Sequence, residues 1–121
     1  MITEPLILVV DDDPAIRTGL SNLLRSAGYV VALAKSAEDF LADPPAVAPA
    51  CVITDIQMPG LSGFELQAIL AEMWPALPVI VMTAFPEPAV RDRALGAGAI
   101  CFLAKPFDAE ELLGCVERAL V

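Results

Sequence analysis

Five short apolar runs alternate along the chain with five longer stretches in which apolar residues recur every three or four positions. Leu6-Ile7-Leu8-Val9-Val10 is continuous and rich in β-branched residues, the signature of a strand buried on both faces. Residues 29–34, 50–54, 78–82 and 99–103 read as four further strands. The intervening stretches carry helix signals. Asp13 suits an N-cap and Pro14 a first helical position, and Ile16, Leu20, Leu23, Leu24 and Ala27 form one apolar face before Gly28 stops the helix. Ser36 caps a short second helix with Asp39 in its first turn, turning Phe40 and Leu41 inward until Pro44-Pro45 ends it. Phe64, Leu66, Ile69, Leu70 and Met73 mark a third helix over 63–73, closed by Trp74-Pro75. A fourth runs from about Pro88 to Leu95 and ends at Gly96 and Gly98. Asp108 caps a fifth, whose inner stripe is Leu112, Leu113, Val116 and Leu120.

Strict β-α alternation predicts parallel strands joined by right-handed crossovers. The expected fold class is α/β: a doubly wound five-stranded parallel sheet, order 2-1-3-4-5, with helices on both faces. The 121 residues are read as one domain, 1–121, and a hydrophobic share of 57% leaves no room for a disordered reading. No linker, repeat or low-complexity segment interrupts it. Met1-Ile2-Thr3-Glu4-Pro5 lacks the basic region of a signal peptide. No apolar run approaches the ~18 residues of a membrane span, so the expectation is a cytoplasmic protein with no membrane partner.

A formal net charge of −9, from 16 acidic and 7 basic residues, argues against a phosphate-backbone partner. No nucleic acid is expected to bind this segment itself; a divalent cation suits it better. Cys51, Cys101 and Cys115 fit no zinc spacing and sit among apolar neighbours, so they are read as reduced core residues. The absence of histidine removes Ser-His and Cys-His catalysis.

The chemistry lies at the carboxyl ends of the strands, where open α/β sheets bind ligands. Strand one ends in Asp11 and Asp12, strand three in Asp55, strand four in Thr83 and strand five in Lys105. In the order 2-1-3-4-5 these four strands are neighbours, and their ends line one pocket. Three carboxylates at close quarters repel, and a hard cation such as Mg²⁺ with oxygen ligands relieves that repulsion. Lys105 adds a compact positive charge and Thr83 a hydroxyl. The set suits a phosphoryl group carried on Asp55, the central carboxylate.

The pieces Val10-Asp11-Asp12-Asp13-Pro14, Thr54-Asp55-Ile56-Gln57-Met58-Pro59-Gly60, Val81-Met82-Thr83-Ala84 and Ala104-Lys105-Pro106-Phe107 resemble, in order and spacing, the receiver domain of two-component response regulators. The resemblance spans essentially the whole chain and implies a flavodoxin-like, CheY-like fold. It implies that Asp55 accepts a phosphoryl group from a sensor histidine kinase in a Mg²⁺-dependent step. Asp12 and Asp55 would ligate the ion directly, Asp11 through water, and the backbone carbonyl of Gln57 would complete the protein ligands. Thr83 and Lys105 would hold the phosphoryl oxygens, and Lys105-Pro106 would be a cis peptide. Phe102 matches the family's switch aromatic, turning inward as Thr83 moves and reshaping the face made by the fourth helix, fifth strand and fifth helix. Such a domain is no enzyme beyond its own phosphorylation and dephosphorylation.

Ser36-Ala37-Glu38-Asp39-Phe40-Leu41 is similar to the FixJ-type subgroup, whose members usually carry a helix-turn-helix output domain. Transcriptional control through a domain outside this chain is thus expected. Ile100-Cys101 lack the acidic residues of the winged-helix subgroup, so its salt-bridged dimer face is absent. Arg91 and Arg93 on the fourth helix remain available to pair with Glu111 or Glu117 on the fifth across a different dimer, and a homodimer through the fourth helix, fifth strand and fifth helix on phosphorylation is the expectation. The two prolines of Phe85-Pro86-Glu87-Pro88 stiffen the loop after Thr83, and Phe85 is expected to shield the acyl phosphate and slow its loss. An FMN-binding flavodoxin would need a phosphate loop where three aspartates stand. A haloacid dehalogenase-type phosphatase would need an aspartate where Gln57 stands. The alternative left is a stand-alone or degenerate receiver acting through protein contacts.

Overall fold

The computed structural model describes residues 5–120; Met1–Glu4, read above as lacking a leader, and Val121 lie outside them. The elements run β1 (Leu6–Val10), α1 (Pro14–Ser26), β2 (Val30–Ala34), α2 (Ala37–Ala42), β3 (Cys51–Asp55), α3 (Gly63–Met73), β4 (Val79–Thr83), α4 (Pro88–Gly96), β5 (Cys101–Ala104) and α5 (Ala109–Ala119). All strand pairs are parallel, as the alternation predicts, and the order is β2-β1-β3-β4-β5, as expected. No helix among the described residues is long and apolar enough to cross a membrane.

Strand side chains alternate between two cores, one on each face of the sheet. Ile7, Val9, Ile53, Ile80, Met82 and Leu103 pack beneath α1 and α5 with Leu20, Leu24, Leu112 and Val116. Leu8, Val10, Val52, Val79 and Val81 pack on the other face with Phe40, Leu66 and Leu70 of α2 and α3. Burying each such side chain is worth about 1.5–3 kcal/mol, so both faces hold the sheet, and among the described strands only edge strand β2 leaves large apolar side chains, Val30 and Leu33, exposed.

Local chemistry fixes the element ends. The Asp13 side chain accepts from Ala15 N–H with Pro14 opening α1, and Ser36 caps α2. At α3 Ser62 and Glu65 form a reciprocal capping box. The four strands after β1 all start later than the apolar runs suggest, and for β2 and β5 the cause is visible. Tyr29 N–H bonds Leu24 C=O and Ala99 N–H bonds Ala94 C=O, so both amides close the preceding helix across a left-handed glycine, Gly28 or Gly98. They are spent before the ladder begins. Ala27, expected on the inner face of α1, is its exposed C-cap.

The cysteines correct the sequence reading. Cys51 is a buried free thiol, but Cys101 and Cys115 are joined as a disulfide. The crossover packs α5 on β5 and brings their Cα atoms to 6.1 Å, inside the span a disulfide bridges, although 14 positions separate them in the chain. Sequence spacing carries no trace of that approach.

Candidate functional site

Register alone assembles the site. Val10 pairs with Thr54, Asp55 with Met82, and Thr83 with Ala104. The next residues along β1 and β5, Asp11 and Lys105, therefore flank Asp55 at one edge of the sheet. Backbone bonds hold the strand ends in place: Asp11 N–H to Ala34 C=O, Ile56 N–H to Met82 C=O, and Lys105 N–H to Thr83 C=O at 2.8 Å. Lys105-Pro106 is cis.

Asp11, Asp12 and Asp55 each offer a carboxylate oxygen within 4.8 Å of the others. Asp11 and Asp55 are buried, whereas Asp12 faces solvent. Lys105 Nζ lies 2.7 Å from Asp11 Oδ2 and 3.3 Å from Asp55 Oδ2. The other oxygens of the two buried acids accept backbone N–H groups, Asp13 to Asp11 Oδ1 and Ile56 to Asp55 Oδ1. Burial pushes the Asp55 carboxyl above its ordinary value; Lys105 opposes the shift and the neighbouring Asp11 charge adds to it. Burial by itself would lower the Lys105 ammonium, but its hydrogen bond to Asp11 and the charges of Asp11 and Asp55 outweigh burial and hold it above the usual range. One lysine thus leaves three clustered carboxylates under-neutralised. All-oxygen donors, one open to water and two pre-positioned, suit a hard divalent cation such as Mg²⁺.

Thr83 is buried at the end of β4, and its hydroxyl is already engaged. It donates to Gln57 Oε1 at 2.8 Å and accepts from Phe85 N–H at 3.0 Å. The Gln57 side chain thereby restrains the hydroxyl, a role the sequence reading, which used only its backbone carbonyl, did not contain. Phe85 itself is 60% exposed, so burial lends no support to a shielding role. Phe102 is half-buried on β5 and packs against the core on the α3 and α4 side.

Other residues stand behind the site. Arg17 Nη1 donates to the Asp11 carbonyl at 2.7 Å. Glu38 Oε2 accepts from Leu61 N–H, tying α2 to the loop after Asp55. Gly60, in the left-handed region, lies against the same carboxylate, where a Cβ would collide. A capping-box pattern would have found Ser62 and Glu65; the Glu38 tie spans 23 positions and has no local signal.

The response regulator receiver domain model matches residues 7–117. The chain belongs to that family. It is 41% identical over 97% of its length to the response regulator protein TmoT of Ectopseudomonas mendocina, covering 53% of that protein. It is 38% identical over 99% of its length to the transcriptional regulatory protein FixJ of Bradyrhizobium diazoefficiens, covering 58%. A putative response regulator from Chloroflexus aurantiacus superposes with a TM-score of 0.90 at 32% identity, over 98% of both chains. The receiver therefore spans little more than half the length of the curated relatives it matches.

Proposed function

We propose that this receiver accepts a phosphoryl group on Asp55 from the phosphohistidine of a sensor histidine kinase. The observation that carries the reading is the arrangement around Asp55 Oδ2: a lysine ammonium at 3.3 Å within a cluster of three carboxylates at the end of β3. An Asp55 oxygen attacks phosphorus as the P–N bond breaks, and the histidine leaves carrying a proton. Lys105 moves from its carboxylate partners to a phosphoryl oxygen, and Thr83 exchanges Gln57 for another. Asp12, Asp55 and the Gln57 carbonyl would hold Mg²⁺, with Asp11 acting through water; the ion supplies positive charge to the transferring group. Burial first, and then the Asp11 charge, oppose ionisation of Asp55, and a bound cation would favour the ionised carboxylate that attacks phosphorus.

The switch runs through Thr83 to Phe102 and alters the face of α4, β5 and α5, which we assign to homodimer formation. Of the two arginines on that face, Arg93 stacks on the Phe64 ring at 4.0 Å, leaving Arg91 for pairing with the acidic residues of α5. The output is transcription, through a DNA-binding domain beyond residues 1–121, in the cytoplasm; this domain binds neither nucleic acid nor membrane and catalyses only its own phosphorylation and dephosphorylation. Intact mass after incubation with acetyl phosphate and Mg²⁺ tests the reading. One phosphate should add, and none in Asp55→Asn or without Mg²⁺. Absence of the adduct, together with failure to bind beryllofluoride, would favour a degenerate receiver that works through protein contacts.

A further inference from the structure

The Cys101–Cys115 disulfide lies on the very face assigned to output. Cys101 immediately precedes Phe102 on β5, and Cys115 is buried at the middle of α5. One cation serves both sulfurs: Arg118 Nη2 is 2.9 Å from Cys101 Sγ and 3.3 Å from Cys115 Sγ. Both cysteines and Arg118 line a surface pocket of about 290 Å³, together with Phe102, Arg91 and Glu111. The third cysteine stands apart. Cys51 is fully buried on β3, and desolvation pushes its thiol up to about 12, so it remains an inert thiol.

Three features of this pair match a reversible centre rather than a permanent staple. A guanidinium beside reduced sulfurs stabilises thiolate, the form that attacks a disulfide. The pocket brings solvent to the edge of both cysteines, which are themselves buried, Cys101 less deeply than Cys115. In a reducing compartment, the disulfides that do form are usually transient and redox-sensing. We propose that Cys101 and Cys115 form a reversible dithiol/disulfide pair that exchanges with a disulfide co-reactant entering between α4 and α5, and that its oxidation resists rearrangement of the face. The second half rests on the phosphoacceptor reading; the first half does not.

The exchange balances in two steps. The Cys101 thiolate, nearer Arg118 and the less buried of the two, attacks one sulfur of the co-reactant disulfide and expels a thiolate, which takes up a proton. The Cys115 thiolate then attacks Cys101 Sγ and expels the second thiolate. Two protein thiols lose two electrons and two protons, and the co-reactant disulfide becomes two thiols. The closed bond ties the backbone beside Phe102 to α5, and closing that loop restricts the unfolded chain.

Full-chain protein equilibrated in glutathione buffers, quenched with a maleimide and weighed intact, tests the first half. Two thiols should disappear together as oxidised glutathione rises and return in excess reduced glutathione. The oxidised form should melt higher by about 10 °C. Cys115→Ser should instead trap one glutathione on Cys101. A bond that survives excess reduced glutathione, thiols that stay alkylatable in oxidised glutathione, or crosslinks between chains would overturn the pair. Beryllofluoride titration tests the second half, with binding about tenfold weaker to the oxidised form. Equal affinities would overturn the coupling alone. Failure of both forms to bind would count against the phosphoacceptor reading and leave the redox pair standing.

Discussion

Gly63 and Gly114 are both helical glycines, and replacing each with alanine should move stability in opposite directions. Gly63 opens α3, and its N–H bonds the Ile56 carbonyl at 2.9 Å, which draws the helix start against the end of β3. A Cβ at Gly63 would collide with the Asp55 carbonyl oxygen and stand 2.8 Å from Ile56 Cα. Both obstacles are backbone, so no rotamer change relieves them, and the helix start or the Asp55 backbone must shift. Overpacking of this kind costs about 1–3 kcal/mol, and a backbone obstacle puts Gly63→Ala at the upper end. Gly114 lies inside α5, and an added Cβ there meets nothing within 4 Å. Gly114→Ala should gain about 0.5–1 kcal/mol from helix propensity. An unfolding entropy of about 2.1 cal/mol/K per residue over 121 residues makes 1 kcal/mol worth about 4 °C. Thermal unfolding followed by circular dichroism should thus place the two variants more than about 10 °C apart, on either side of the parent. Because the Asp55 backbone is one of the two elements in collision, Gly63→Ala should also slow phosphorylation by acetyl phosphate, while Gly114→Ala should not. The reasoning fails if the two melt together, or if Gly63→Ala is phosphorylated at the parental rate.

Asp55→Asn should be more stable than the parent at neutral pH, since burial and Asp11 disfavour the ionised carboxylate while Lys105 keeps its 2.7 Å partner Asp11. A folded-state value raised above 3.8 means the stability associated with Asp55 is present below that pH and lost as pH rises through the raised value. Denaturant midpoints across acid to neutral pH should therefore converge below about pH 4 and separate above it; a constant difference would show that ionisation is not the cause. Gln57→Ala keeps the backbone carbonyl but frees the Thr83 hydroxyl from its 2.8 Å bond, and beryllofluoride should bind about five times more tightly for one hydrogen bond no longer to be broken; unchanged or weaker binding would refute the restraint. Ser62→Ala removes half of the capping box and should cost about 1 kcal/mol, read as a drop of about 4 °C, with a shift under 1 °C counting against it.

How much of this was legible in the sequence follows from the range of each interaction. Apolar runs, proline and glycine stops and the caps Asp13, Ser36 and Asp108 act within a few residues, so they placed all ten elements. Strand boundaries slipped by a residue or two: at Tyr29 and Ala99 because the amide closes a helix instead of joining a ladder, and at β3 and β4 by one residue toward the carboxyl end. Strict alternation made the sheet parallel, the receiver resemblance implied its order, and the strand ends carry Asp11, Asp12, Asp55, Thr83 and Lys105. Long-range approach was invisible. The Gln57 amide on Thr83 spans 26 positions, the Glu38 tie 23 and the Cys101–Cys115 bond 14. Each depends on how a crossover packs its helix or loop against the sheet. The sequence by itself determined which groups reach the edge of the sheet, because strand periodicity and termination are local. Only the tertiary structure decided which of those groups are already partnered and which cysteines meet, because crossover packing sets those distances.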